Sequence, residues 1–455
     1  MTDLSQTTVL RLRREWRLVL IIGALSLFGP LCIDMYLPSL PQISRDLHAA
    51  TWAVELSITG CLIGIAVGQL IIGPVSDRVG RRPPLMVGIA CFVASALGCA
   101  AAPNAVSLDV LRLIMGLSGA AGIVIARALV RDLYSGVQAA RFFSALMLVT
   151  GLGPILAPQL GAMILRFTSW RGIFLTLALA GSVLLVVAFF KVPEGLPPER
   201  RGSGGVRAAT SSLASVGGDR SVVGYALIGS LGFGAVFAYV AGAPFVLQDV
   251  YGLSPQVFGL VFALNGAGLV LGAQVNGRLV HRLGSERLLT TGTLVMTAGG
   301  LSFLGAVITG LGGLAAVMAS LFVVLFGAGF INPNALTLTL QHRPDAAGSA
   351  SALFGCSQFV LGAAVAPLVG VGGDHDALPM AIVVCGLAAG AASLQLLHRK
   401  GWLRWVPDAG GAIGAGRSVG DAACQLAGSS AEAGVGAAQA AALVADPRET
   451  GVRAR

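Results

Sequence analysis

The chain has 455 residues, of which 55% are hydrophobic and 11% charged, and a formal net charge of +9. An ordinary soluble domain carries roughly 25% charged residues, so this composition, with mean hydropathy +0.82, excludes a soluble globular protein and implies a polytopic membrane protein. The positive residues lie in short clusters between apolar runs, which assigns them to membrane topology and speaks against nucleic acid as a partner.

Twelve apolar runs approach the roughly 20 residues needed to cross hydrocarbon. They cover about 17–36, 53–72, 84–102, 105–126, 142–165, 173–191, 222–247, 256–277, 288–308, 313–340, 347–371 and 377–397. The first follows a basic stretch, "RLRREWR", but is too long for a signal peptide and lacks an A-x-A-like cleavage site, so it is expected to remain as a helix. With the amino terminus inside, nearly all basic clusters fall in cytoplasmic segments and Arg45, Arg166 and Arg171 fall outside. Both termini are therefore expected in the cytoplasm.

These runs predict an all-α membrane protein of twelve transmembrane helices in two six-helix, pseudo-symmetric bundles. A cytoplasmic segment, 1–16, precedes the first bundle, 17–192. A Pro-, Gly- and Ser-rich interhalf linker, 193–220, leads to the second bundle, 221–398, and a flexible cytoplasmic tail, 399–455, follows. "GPVSDRVGRR" after the second run and "GAQVNGRLVHR" after the eighth suggest an internal duplication, Gly73 and Asp77 being answered by Gly272 and Asn276. Six of the seven cysteines lie in apolar runs without a CxxC pair, as small core residues do.

Charges inside the runs point to function. Asp34, in "CIDMYLP", is the most membrane-embedded acid; Glu55 and Asp109 lie near the outer starts of their runs. An ionised carboxylate at a helix centre costs roughly 2.5 to 3.5 kcal/mol even on lenient insertion scales. Asp34 is therefore expected to carry the coupling proton, the bland reading being a helix-end carboxylate that faces outer water. Arg112, in the fourth run, either pairs with Asp34 or snorkels to the outer interface.

In "GPVSDRVGRR", Gly73 and Gly80 permit a tight turn, and Asp77 and Arg81 can form charge-assisted bonds that latch neighbouring helix ends in the outward-facing state. Asp132, at the inner end of the fourth run, is the candidate partner of Arg81; surface solvation would explain it as simply. The fifth run carries Gly153, Pro154 and Pro158, and prolines in a membrane helix bend it and free carbonyls. Met35, Tyr36, Tyr239, Asn334 and Gln358 are polar or adaptable residues in apolar runs, candidates for lining a substrate cavity or for helix packing.

The loop "GPVSDRVGRR" resembles the G-x-x-x-D-x-x-G-R-R motif of the major facilitator superfamily at every defined position. The fourth run's arginine followed by Gly116, Gly119, Ala120 and Gly122 is similar to that superfamily's fourth-helix motif. The Gly-Pro of the fifth run resembles its antiporter motif, with Ala157 and Pro158 where two glycines are commoner. "DMYLPSLP", "GPVSDRVGRRP", "RALVRDLY", "SWRGIF" and "AGSASALFGCSQFVLGA" together resemble the Bcr/CflA group of bacterial drug:proton antiporters, over roughly residues 17–398. The resemblance implies a monomeric exporter of drug-like amphipathic molecules in the bacterial inner membrane, driven by protons without a cofactor. An importer of a sugar or organic acid is the alternative in the same fold. A membrane-embedded enzyme lacks a polar catalytic cluster, a primary pump a nucleotide motif, and no metal-ligand spacing appears.

Overall fold

The computed structural model describes residues 20–134, 136–201, 214–373 and 376–399. The segment 1–16, much of the linker and the tail beyond Arg399 lie outside the described residues.

Long apolar stretches with few charges become helices because only a helix satisfies every backbone group inside hydrocarbon. Twelve result. The first bundle comprises α1 (Leu20–Asp46), α2 (Thr51–Val79), α3 (Arg82–Ala100), α4 (Ala105–Leu133), α5 (Gly136–Ile164) and α6 (Trp170–Lys191). The second comprises α7 (Arg220–Val250), α8 (Pro255–Leu283), α9 (Ser285–Thr309), α10 (Gly313–His342), α11 (Ala347–Gly372) and α12 (Leu378–Arg399). Their starts are set by local chemistry. Asn104 and Ser107 form a reciprocal cap on α4, Asp219 Oδ1 accepts from the first amides of α7, and Ser254 followed by Pro255 opens α8.

The sequence places the end of the first span near Tyr36, whereas α1 runs ten residues further. It does so through a break. The regular helix ends at Asp34, Met35 and Tyr36 form a turn, and a 3-10 turn at Leu37–Ser39 restarts the helix. Pro38 and Pro41 lack the amide protons that an unbroken ladder would need. Asp34 therefore sits near the middle of a 27-residue span, not toward its outer end.

Within each bundle, glycines allow close crossings. An added Cβ at Gly116 of α4 would overlap the Cys61 carbonyl of α2, and one at Gly272 of α8 would overlap the Phe326 carbonyl of α10. The repeat is real in form but its register differs from the sequence reading. Both α2 and α8 have 29 residues and end at a glycine with positive φ, Gly80 and Gly284. In that register Gly73 answers to Gly277, both with open space beside them, and Asp77 to His281. Asn276 is instead buried against α10, where it accepts from Asn334 Nδ2 at 2.5 Å.

The two bundles meet along α2 with α11 and α5 with α8. Thr59 Oγ1 donates to the Ala363 carbonyl at 2.8 Å, Gln248 Nε2 to the Pro38 carbonyl at 3.1 Å, and Gln256 Nε2 to the Ala162 carbonyl at 3.1 Å. Arg45 and Asp249 add a 3.8 Å ion pair. These four contacts lie in the half of the molecule remote from the loop after α2, so the seam between the bundles is closed there.

Candidate functional site

A cavity of about 220 Å³ lies between the bundles. The first bundle contributes Pro30, Ile33, Asp34, Ile65, Ile123 and Pro154; the second contributes Phe233, Phe237, Tyr239, Phe262, Asn332 and Phe359 among others. Asp34 is its acid. The break in α1 delivers that carboxyl to the cavity, and α5 supports the break: Gly161 lies so close to the Met35 carbonyl that a Cβ there would overlap it, and Gly153 packs on Pro30.

The sequence offers Arg112 as a partner for Asp34 or as a snorkelling residue, and the structure gives it neither role. Asp34 and Arg112 make no ion pair with each other. Arg112 is fully buried, its guanidinium 4.1 Å from the centre of the Tyr36 ring, and Nη1 donates to the Cys32 carbonyl at 2.5 Å. The reason lies in the break. Past Asp34 the regular ladder closes with Met35 donating to Leu31, and a terminating helix leaves its last carbonyls without intrahelical partners. Arg112 takes one of them, at the negative end of the helix dipole. It thus holds Asp34 through the backbone. Its Nε and Nη2 have no hydrogen-bond partner.

Of the other residues expected to line the cavity, Tyr239 does, and its hydroxyl accepts from Asn265 Nδ2 at 3.2 Å. Met35 and Tyr36 are buried behind it; the Tyr36 hydroxyl shares a 3.0 Å bond with Ser57. Asn334 points to Asn276, away from the cavity, while Asn332, about 200° around the same helix, lines it and takes a bond from Gln358. Sequence reasoning missed Asn332 because either asparagine reads as polar within an apolar run, and only the packing of α10 selects the face. The aromatic wall of Phe233, Phe237, Phe262 and Phe359 was equally silent, since phenylalanine is ordinary in a membrane helix.

The loop residues assemble at the other end of α2. Arg81, 3% exposed, binds Asp77 at 2.5 Å, Asp132 at 2.7 Å and Ser76 Oγ at 2.7 Å. Burial alone would favour the neutral form of Arg81, but the bonds from Asp132 and Asp77 outweigh it and hold the guanidinium more firmly charged. The structure adds a residue that no motif signalled. Glu194, three residues beyond α6, accepts from the backbone amides of Arg81 at 2.7 Å, Arg82 at 3.1 Å and Leu196 at 3.1 Å. Burial pushes its carboxyl up, but those amides, with Arg201 nearby, win and hold it below its ordinary range. A carboxylate at the amino end of α3 is also favoured by the helix dipole. Gly80, at φ +101°, makes the turn that lets α3 begin there. All of these contacts tie the first bundle to itself and to the start of the linker. At the α6 start, Trp170 of "SWRGIF" is buried and donates to Asp46 at 3.0 Å, fixing the far end of α1.

Residues 21–367 match the model of the Major Facilitator Superfamily. The chain belongs to that superfamily. It is 39% identical to the MFS-type transporter YdgK of Bacillus subtilis over 81% of this chain and 91% of that protein. It is 31% identical to a bicyclomycin resistance protein homolog of Haemophilus influenzae over 80% and 91%, and 28% identical to a chloramphenicol resistance protein of Pseudomonas aeruginosa over 77% and 83%. These relatives agree with the Bcr/CflA resemblance carried by its motifs. Among solved structures, the Escherichia coli xylose transporter XylE, in a partially occluded inward-open conformation, superposes with a TM-score of 0.66 at 18% identity, over 85% of this chain and 98% of that one. That likeness establishes the fold. The protein is a multi-pass membrane transporter and not an enzyme.

Proposed function

We propose that this transporter exports drug-like amphipathic small molecules across the bacterial inner membrane in exchange for protons, by alternating access, as a monomer with both termini in the cytoplasm. The observation that carries the reading is the Asp34 carboxyl held at a helix break in an otherwise largely apolar, aromatic cavity between the bundles. A sugar or organic acid needs a dense set of directional polar groups, whereas this lining supplies few: Asp34, Tyr239 and Asn332. The names of the bicyclomycin and chloramphenicol resistance relatives support the same substrate class.

In the cycle, an outside proton occupies Asp34 and favours return of the empty carrier; its release inside accompanies drug loading. Drug and proton are then linked through two mutually exclusive conformations. With the basic loop after α2 facing the cytoplasm, the closed seam is the outer one and the present conformation is closed to the outside. Its cavity, about 220 Å³, is below the roughly 300–1,000 Å³ of small-molecule sites, so drug entry requires further separation of the bundles. The Arg81 network lies within the first bundle in this conformation and prepares the inner end for the outward-facing state: half-exposed Asp77, here bonded to Arg81, becomes the latch when it bonds across to the second bundle as that end closes. Asp77→Asn is expected to cut transport while leaving drug binding largely intact.

Vesicles reconstituted with the full chain test the central reading. With an imposed pH gradient, chloramphenicol is expected to accumulate against its own gradient with counterflow of protons, and Asp34→Asn to abolish accumulation while retaining the fold. Accumulation by Asp34→Asn at the wild-type rate would refute it.

A further inference from the structure

The cycle above leaves Glu55 unused. This residue lies on the face of α2 that meets α11; it is fully buried, and neither carboxyl oxygen has a hydrogen-bond partner. Its Oε2 lies against Gly370, where an added Cβ would overlap it. Along the same face follow Thr59, bonded to Ala363, then Leu62 against Gly362 and Gln69 opposite Gly355. Glu55 thus sits inside the seam between the two bundles, at the end that is closed in this structure.

Among the described residues, the charged and titratable groups around it offer no counter-ion. On α2 the next titratable group is Cys61, whose thiol shares a bond with Cys32, and the next charged one is Asp77, at the other end of the helix. On α1, Arg45 pairs with Asp249 of α7 and Asp46 accepts from Trp170. His48, in the turn before α2, is exposed. On α4, Asp109 is itself an acid with an unpartnered oxygen. Beyond α11, Asp376 accepts from the amide of Leu378, and residues 374 and 375 lie outside the described residues. None of the described groups forms an ion pair with Glu55. An ionised carboxylate enclosed without a counter-ion, with the backbone amide of Gly370 as its neighbouring donor, is strongly disfavoured, and the neutral acid far less so.

We propose that Glu55 is a second proton-accepting group of the transport cycle: the α2–α11 seam closes on its neutral carboxyl, and its ionisation opens the seam to outer water. This rests on the exchange reading above and adds a gate to it. Closing the seam takes up a proton from the side the seam faces, so drug cannot be trapped from outside unless a proton enters too. The sign follows from linkage. The closed state holds the extra proton, so low pH favours it; over the range in which only the closed state is protonated, each added pH unit shifts the closed:open ratio about tenfold toward open.

The test uses the full chain in lipid nanodiscs, with native cysteines replaced and spin labels on the exposed positions Ala50 and Val371, which flank the seam. The distance distribution is followed from acid to alkaline pH. The closed population is expected to fall with rising pH in the otherwise unaltered protein, to stay high and flat in Glu55→Gln, and to keep its pH dependence in Asp34→Asn. A pH-independent distribution in the parent, or an unchanged profile in Glu55→Gln, would overturn the proposal. Should Glu55→Gln fail to fold, Glu55→Asp carries the test: a displaced midpoint supports the gate and an unchanged one overturns it. Failure of gradient-driven export in vesicles would sink the exchange reading without altering this distance measurement, so the two failures are distinguishable.

Discussion

If Arg112 supports Asp34 through the backbone, then its substitutions should not behave as those of a charge pair. Replacing Arg112 by Met removes a charge-assisted bond to the Cys32 carbonyl, worth about 1.5 to 3 kcal/mol, and the contact with the Tyr36 ring, about 2 kcal/mol when desolvated. It also removes two buried, unpartnered donor nitrogens, each of which costs about 1 to 3 kcal/mol as it stands. The opposing sums are similar, so Arg112→Met should change stability by less than about 2 kcal/mol. Lysine keeps a buried charge but loses the planar contact with Tyr36 and the fixed reach to Cys32, so Arg112→Lys should be the more destabilising of the two. A true Asp34–Arg112 pair would invert the order, because Arg112→Met would strand a buried carboxylate at about 3 to 5 kcal/mol. The assay is thermal unfolding of purified variants in one detergent, extended to Asp34→Asn and the double variant Asp34→Asn/Arg112→Met. The two effects should add to within about 0.5 kcal/mol. Both Arg112 variants should nevertheless lose most transport, because the break that aims Asp34 loses its carbonyl partner. Rescue of the Met variant by Asp34→Asn by more than about 1 kcal/mol would refute the reasoning.

The loop network makes unequal demands on its two acids. Asp132, 13% exposed, should cost about 1.5 to 3 kcal/mol when changed to Asn, whereas half-exposed Asp77 should cost about 1 kcal/mol or less, and equal losses in thermal unfolding would contradict the assigned burial. Glu194, held below its ordinary value of 4.5, stabilises the loop fully above that pH and progressively less as pH falls below it. Hydrogen exchange at the Arg81 and Arg82 amides should therefore quicken on acidification in the parent protein and be fast and nearly pH-independent, after correction for intrinsic exchange, in Glu194→Gln. Gly80→Ala, forced to φ +101° beside Glu194, should destabilise by at least about 1 kcal/mol, whereas Gly73→Ala, with open space around it inside a helix, should be neutral or stabilising by thermal unfolding.

Twelve spans were legible because hydrocarbon demands long apolar helices, and that demand is written in composition. The loop motif was legible for a different reason: Gly80, Asp77 and Arg81 act within five residues of one another, so their spacing is visible in the chain. Glu194 was not, because its bonds to Arg81 and Arg82 span more than a hundred residues and depend on where the chain leaves α6. Asp34 stood out as a charge in an apolar run, yet its setting did not. The prolines of "DMYLPSLP" hint at a break, but that the break would expose a carbonyl to Arg112 depends on how α4 crosses α1. The choice of Asn332 over Asn334 likewise rests on the rotation of α10, which no local pattern fixes.

The two bundles divide the labour unequally, and the charges show how. In the first, Arg112 secures the break of α1, Asp34 faces the cavity, and Arg81 gathers Asp77 and Asp132 at the loop. At comparable depth in the second, the polar contacts are neutral: Asn334 with Asn276, Asn265 with Tyr239, and Gln358 with Asn332. Amide and hydroxyl groups hold geometry without responding to a proton, so under the proposed exchange the second bundle can present an aromatic surface of constant character while the first changes charge. A drug bound against Phe233, Phe237 and Phe359 would then meet the same wall in every protonation state and, within the cavity, sense the proton through Asp34. Such a division suits an exporter whose cargo varies: the coupling residues stay fixed in one half, and substitutions among the apolar residues of the other can alter which molecules are carried without disturbing what drives them.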